Sequence, residues 1–246
     1  MPLELAMVMP VYNEEDCIRE VIDSWREVLT ALGMSYRILV LNDGSRDHTA
    51  EKLAAFAGDD RITIINKPNA GHGPTILQGY HLAVDLADWV FQCDSDDEMK
   101  AIHFPRLWEQ RQNYDVLFGY RLQRKQNLGR KVISGVSRMT VRALFGRGVA
   151  DVNTPYRLMR SAILRQIIDQ IPGDTFAPNV IIAGAFARAK RRMANLPVPH
   201  EGRRTGAVSI VKWKLWKAAC RAFWQTLRCR PKIAATAPQE QANTVG

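Results

Sequence analysis

Residues 94–98, Asp94-Ser95-Asp96-Asp97-Glu98, set four carboxylates among five consecutive positions, directly after the mostly apolar run Trp89-Val90-Phe91-Gln92-Cys93. Acids crowded in this way repel one another, and a fold keeps such a cluster at a strand end mainly where something positive sits. Hard divalent cations take oxygen ligands of this kind. A solvated acidic turn is the other reading of these five residues taken alone.

Charge elsewhere in the chain bears on that choice. Residues 1–100 carry 18 acidic and 8 basic side chains, and the remaining 146 carry 7 acidic and 26 basic, so the overall +9 is concentrated after the acidic stretch. This asymmetry implies an anionic partner for the C-terminal half. Nucleic acid, anionic lipid and phosphorylated substrates all satisfy it.

The elements that must position these groups follow from periodicity. Leu3–Val11 reads as a first strand, followed by the polar turn Tyr12-Asn13-Glu14-Glu15-Asp16 and by apolar residues at helical spacing from Ile18 to Leu32, with Gly33 as a stop. Tyr36–Leu41 is a second strand opening into Asn42-Asp43-Gly44-Ser45, with a helix expected over 49–57. Arg61–Asn66 is a third strand, and Asn69-Ala70-Gly71-His72-Gly73-Pro74 leads into a helix to about Ala87, with Pro74 expected at its first position. The run before Asp94 is the fourth strand. Strands separated by helices predict right-handed βαβ units and a parallel sheet, whose ligand crevice lies beyond the carboxyl ends of the strands. All four of those ends are polar.

Further on, 104–113 is expected as a helix, 115–121 as a strand, 122–131 as a basic loop and 132–145 as a helix. Helices follow over 161–169 and 179–190, and 192–199 is a last edge strand. The 246 residues, 46% of them hydrophobic, suit one large α/β domain. Cys17, Cys93, Cys220 and Cys229 have no metal-site spacing and fit core packing in a reducing compartment. The N-terminus lacks the pattern of a signal peptide, and no stretch approaches the roughly 20 apolar residues that span a bilayer.

Taken in order, P-V-Y-N-E-E, L-N-D-G-S-R-D-H-T, N-A-G-H-G, D-S-D, G-Y-R, D-V-N-T-P-Y-R and H-E-G-R-R-T-G resemble the inverting family 2 glycosyltransferases. The likeness is strongest to the dolichyl-phosphate mannose synthase and polyprenyl-phosphate glycosyltransferase branch. It implies a GT-A fold, Rossmann-like with a mostly parallel central sheet flanked by helices, a UDP- or GDP-sugar donor, and Mg2+ or Mn2+. By the same resemblance Pro10, Val11, Tyr12, Glu14 and Asp43 hold the nucleotide. Gly71 and Gly73 let backbone approach the ligand at a helix N-terminus. Asp94 and Ser95 lie along ribose and sugar, and Asp96 ligates the metal with Glu98, which stands where relatives commonly have Gln.

The resemblance further implies that Arg121, Arg130 and Arg203 face phosphates, a role for which guanidinium is suited, and that Asp151 lies near the acceptor. A lipid monophosphate, with a second pKa of about 6, is largely a dianion at neutral pH and already a nucleophile. Asp151 then need not be a base; it could orient Arg157 or position the metal site, whereas a hydroxyl acceptor restores the need for a base.

Residues 1–209 are expected to form the GT-A domain. Residues 210–231, with Trp213, Trp216 and Phe223 beside a stripe of Lys and Arg, fit an amphipathic helix on an anionic membrane surface; packing on the domain is the alternative. Residues 232–246 read as a disordered tail. The expected protein is peripheral at the cytoplasmic face, with a polyprenyl phosphate acceptor and without a transmembrane helix. A soluble or glycan hydroxyl acceptor, and a non-catalytic module for anionic surfaces or nucleic acid, are the competing readings. No nucleic-acid motif is present to support the last.

Overall fold

The structure is a computed structural model and describes residues 3–122, 149–200 and 224–225. Its centre is β1 (Leu3–Val11), which pairs in parallel with β2 (Tyr36–Asp43) on one side and β4 (Ala87–Gln92) on the other. β3 (Ile62–Lys67) extends the sheet beyond β2 in the same direction. Past β4 come β6 (Arg157–Arg160), β5 (Val116–Leu122) and β7 (Met193–Pro199), giving the order β3-β2-β1-β4-β6-β5-β7.

The expectation of a mostly parallel sheet holds, with one exception. β6 runs antiparallel to both β4 and β5, while β5 and β7 are parallel to each other. Four residues, Arg-Leu-Met-Arg, are too few to announce a strand by alternation. Because β6 is reversed, its N-terminal end lies at the same sheet edge as the carboxyl ends of the other six strands. That edge therefore collects the turns after β1 to β4, the end of β5, residue 200 after β7, and the segment 151–156 leading into β6.

Alternation along the strands assigns the two faces. Ala6, Val8, Leu39 and Leu41 pack on one side with α3 (His72–Leu86), α5 (Ser161–Ile168) and α6 (Pro178–Arg188). Leu5, Met7, Met9, Ile38 and Val40 pack on the other with α1 (Ile18–Ala31), α2 (Thr49–Ala54) and α4 (Phe104–Gln110). Both faces are covered, as parallel strands require. On the second side Trp25, Phe91, Phe104 and Tyr156 form one aromatic cluster with centroids 4.7–6.0 Å apart, edge-on and tilted arrangements that suit ring quadrupoles.

The helices differ from expectation mainly at their ends. α2 closes at Ala54, and α4 gives way to a 3-10 turn over Arg111–Asn113. Pro74 occupies the third position of α3, not the first, and is tolerated because the first four helical N–H groups have no intrahelical acceptor. Gly33, at φ +65°, ends α1 as anticipated.

Of the basic loop expected over 122–131, Leu122 ends β5; its remainder, the helix expected over 132–145, the segment 201–206, the helix over 210–231 and the tail 232–246 lie outside the described residues, as do Arg130 and Arg203, except that Trp224 and Gln225 are described. Gln225 Oε1 accepts the Phe176 N–H at 2.9 Å, and its amide nitrogen donates to the Asp174 carbonyl at 3.4 Å. Among the described residues no helix is long and apolar enough to cross a membrane.

Gly73 has a packing role that local sequence does not announce. A Cβ there would stand 2.3 Å from the carbonyl oxygens of Thr175 and Phe176, so the missing side chain admits the loop before α6. Gly73→Ala should therefore cost about 2 kcal/mol or more and lower Tm by roughly 4–8 °C, against the helix preference for Ala. Gly58→Ala, where the added carbon meets nothing within 4 Å, should leave Tm nearly unchanged; thermal melts of both variants check this.

Candidate active site

The turns after β1, β2 and β3 are stitched together by side chains. Asn13, at φ +54°, receives the Arg46 N–H on its Oδ1 at 2.8 Å, and the Asn13 N–H donates to Ser45 Oγ at 3.0 Å. The Glu14 N–H donates to Thr49 Oγ1 at 2.9 Å, and Glu14 itself is buried. Pro10 and Val11 are buried at the end of β1, whereas Tyr12 is 36% exposed, its ring open at the mouth of the edge.

Asp43 is the hub of the third turn. Its carboxylate accepts the Ala70 and Gly71 N–H groups, each at 2.9 Å, and pairs with Lys67 Nζ, while its carbonyl accepts Asn69 Nδ2 at 2.7 Å. Gly71, at φ +91°, adopts a conformation that favours glycine. Gly44, at φ +69°, would place a Cβ 2.8 Å from the Asn69 nitrogen. The lone pairs that sequence reasoning offered to a nucleotide base are thus already committed in large part to holding the glycine-rich turn. Lys67, which that reasoning missed, is signalled only by its position at the end of β3.

Beside this lies the acidic turn after β4. Gln92 Nε2 donates to Asp94 Oδ1 at 3.1 Å, and His72 Nε2 lies 3.8 Å from the same oxygen. Ser95 is buried, and its carbonyl is 3.5 Å from Cys17 Sγ, which also lies 3.5 Å from Glu14 Oε2. The turn reverses at Asp97, φ +56°, where the Glu98 N–H donates to Asp96 Oδ1 at 3.2 Å. Glu98 Oε2 meets His200 Nε2 at 2.9 Å. His200 stands directly after β7, an edge position that could have marked it.

Among the described residues no group of three or more His, Cys, Asp or Glu side chains is arranged to hold a metal ion. A cation held by one or two carboxylates together with substrate phosphates, a mode Mg2+ uses, needs no such group. Asp96 and Glu98, two oxygen donors on one fixed turn, fit it.

Across β6 is the pair Arg121 and Asp151. Arg121 Nε and Nη2 donate to Asp151 Oδ2 and Oδ1 at 2.8 and 3.2 Å, and Nη2 also reaches the Asn153 carbonyl at 3.4 Å. These bonds engage Nε and Nη2 of a side chain that is only 8% exposed. Asp151 is held by Arg121 and not by Arg157. The fully buried Arg157 donates instead to the carbonyls of Val152, Thr154 and Asn179, with burial pulling its pKa down against the field of nearby Tyr80, Asp151 and Asp94. Tyr156 belongs to the aromatic cluster, and its hydroxyl donates to the Lys100 carbonyl at 3.3 Å, tying this segment to the residues after the acidic turn.

Burial pushes the Asp43 carboxyl up, but hydrogen bonds from Lys67, the Ala70 amide and Thr75 outweigh it and hold its pKa below the ordinary 3.8. A depressed folded-state value gives stability that is present above about pH 4 and is lost as pH falls through the folded value. Asp43→Asn should therefore lower Tm at pH 7, with the gap to the parent chain narrowing at pH 3. Melts at the two pH values measure this, and a constant gap would contradict the ionised Asp43–Lys67 pair.

Comparison with known proteins shows the family and the fold. The model of the family described as "Glycosyl transferase family 2" matches residues 6–168. The undecaprenyl-phosphate 4-deoxy-4-formamido-L-arabinose transferase of Pectobacterium carotovorum subsp. carotovorum is 31% identical over 206 residues, 82% of this chain and 61% of that protein. Its counterpart in Pectobacterium atrosepticum is 32% identical over 188 residues, 75% of this chain and 56% of that protein. The chain thus spans about three fifths of the length of these curated relatives. Glucosyl-3-phosphoglycerate synthase from Mycobacterium tuberculosis, solved with Mn2+, UDP and glucosyl-3-phosphoglycerate, superposes with a TM-score of 0.67 at 16% identity, covering 97% of this chain and 82% of that one. The fold is GT-A, and the chain belongs to glycosyl transferase family 2.

Proposed function

We propose that the chain is an inverting glycosyltransferase that moves a sugar from a nucleoside-diphosphate sugar to a polyprenyl phosphate at the cytoplasmic face of a membrane. The observation that carries this reading is the acidic turn Asp94–Glu98 standing between two dissimilar groups on one sheet edge. On the β1–β3 side is the turn clasped by Asp43; on the β6–β5 side is the Arg121–Asp151 pair. The names of the curated relatives support a polyprenyl phosphate acceptor, and the solved neighbour's complex supports a divalent metal beside a uridine nucleotide.

In this reading Tyr12 and the Asp43 turn receive the nucleoside, Asp94 and Ser95 line ribose and sugar, and Arg121 attracts the acceptor phosphate. Mg2+ or Mn2+, when bound through Asp96 and Glu98, offsets charge on the departing diphosphate. The acceptor phosphate needs no base, since it is largely dianionic at neutral pH. Asp151, doubly bonded to Arg121, serves to aim the guanidinium. Transfer is one in-line displacement at the anomeric carbon. Arg130 and Arg203 are assigned to the phosphates on the resemblance alone. The 26 basic residues after position 100 favour an anionic lipid surface over a neutral one.

The test uses the purified full chain in thermal melts with Mn2+ or Mg2+ and a panel of UDP, GDP and their sugars, followed by label transfer to undecaprenyl phosphate. A metal-dependent rise in Tm should single out one nucleotide, and label should appear in the lipid. Asp96→Ala should lose both while its ligand-free Tm stays near that of the parent. Transfer retained by Asp96→Ala would remove the metal reading, and label appearing only in a water-soluble acceptor would move the acceptor to a hydroxyl.

A further inference from the structure

Beneath the acidic turn runs a buried polar chain that the reading above leaves unused. Gln92 and Tyr80 are fully buried and Asn179 is 5% exposed. Gln92 Nε2 donates to Asp94 Oδ1 at 3.1 Å, and Gln92 Oε1 accepts Asn179 Nδ2 at 2.9 Å. The Tyr80 hydroxyl donates to Asn179 Oδ1 at 2.9 Å and lies 3.1 Å from Gln92 Oε1. The Asn179 carbonyl accepts Arg157 Nη1 at 3.0 Å.

The two amides satisfy their partners in one orientation only. An ionised Asp94 accepts and never donates, so the group facing it must be Gln92 Nε2. Gln92 Oε1 then faces inward and needs a donor, which Asn179 Nδ2 supplies. Asn179 Oδ1 in turn needs the phenolic proton, and burial raises the Tyr80 pKa well above its ordinary value, keeping that proton in place. Turning either amide alone sets two acceptors against each other. The chain thus has a direction, and it ends on a carboxylate at the open edge of the sheet. Three apolar side chains would fill the same volume without any demand for matched donors, so the arrangement is a costly way merely to pack a core.

We propose that Gln92 and Asn179 are positioning residues for the nucleotide-sugar site, fixing the Asp94 carboxylate in the orientation that receives the donor. This rests on the donor role of Asp94 described above. The link through Arg157 to the carbonyls of Val152 and Thr154 gives the segment beside Asp151 the same anchor.

A double-mutant cycle on the full chain tests it. Calorimetric titration with Mn2+ and either UDP or GDP, whichever binds the parent, gives Kd for the parent, Asp94→Ala, Gln92→Met and the double variant. Gln92→Met should weaken binding by roughly 10–100-fold, the range seen when groups behind a ligand-contacting residue are removed. In the Asp94→Ala background the same change should add less than about 2-fold, because nothing is left for Gln92 to aim. Equal losses in both backgrounds, or parent-like binding by Gln92→Met, overturn the proposal while leaving the donor role of Asp94 intact. Parent-like binding by Asp94→Ala overturns that role and the proposal with it. Should Gln92→Met fail to melt cooperatively, Asn179→Ser, which removes the donor to Gln92 Oε1, takes its place in the same cycle.

Discussion

Parallel pairing about β1 sends the carboxyl ends of its neighbours to one edge, and the site inherits an electrostatic problem from that. Asp43, Asp94, Asp96, Asp97, Glu98 and Asp151 all reach the edge on successive turns. Two like charges about 4 Å apart near a protein surface repel by roughly 4 kcal/mol, so each acid gains from a donor or counter-charge of its own. The structure answers with separate local partners: Lys67 and two amides for Asp43, an amide for Asp94, an imidazole for Glu98 and a guanidinium for Asp151. Each partner comes from a different element, so the sheet order determines how the charge is distributed.

The reversed strand β6 makes this distribution two-sided. Had that strand run parallel, residues 151–156 would lie at the opposite edge and Asp151 could not meet Arg121 at the end of β5. Its reversal also buries Arg157 against three carbonyls near the centre of the molecule. A guanidinium in that setting is screened far less than one in water, and its field extends toward Asp94 and Asp151.

The donor half was legible because its signals are local. Leu3–Val11, Tyr36–Leu41 and Ile62–Asn66 are mostly apolar strands with turn residues at their ends, and helical spacing marks the segments between them. Asp43 could be placed at the edge, though not its engagement with the turn of the next strand, which depends on strand pairing. β6 was hidden by its brevity. The partnership of Arg121 with Asp151 spans 30 residues, and that of Glu98 with His200 spans 102; neither spacing follows from a motif. Gln92 read as one polar interruption in an apolar strand, because its partners Tyr80 and Asn179 sit on two helices whose facing sides emerge only from packing. Pro74 and Gly73 were assigned by local conformational rules, which gave no sign that the loop at 175–176 packs against the glycine.

That loop joins parts of the molecule far apart in sequence. Its carbonyls at 175 and 176 rest on the start of α3, with no side chain at Gly73 to cushion them, while its N–H at 176 is held by Gln225. Residue 225 is thereby tied, through a single loop, to the helix that begins beside the Asp43 turn.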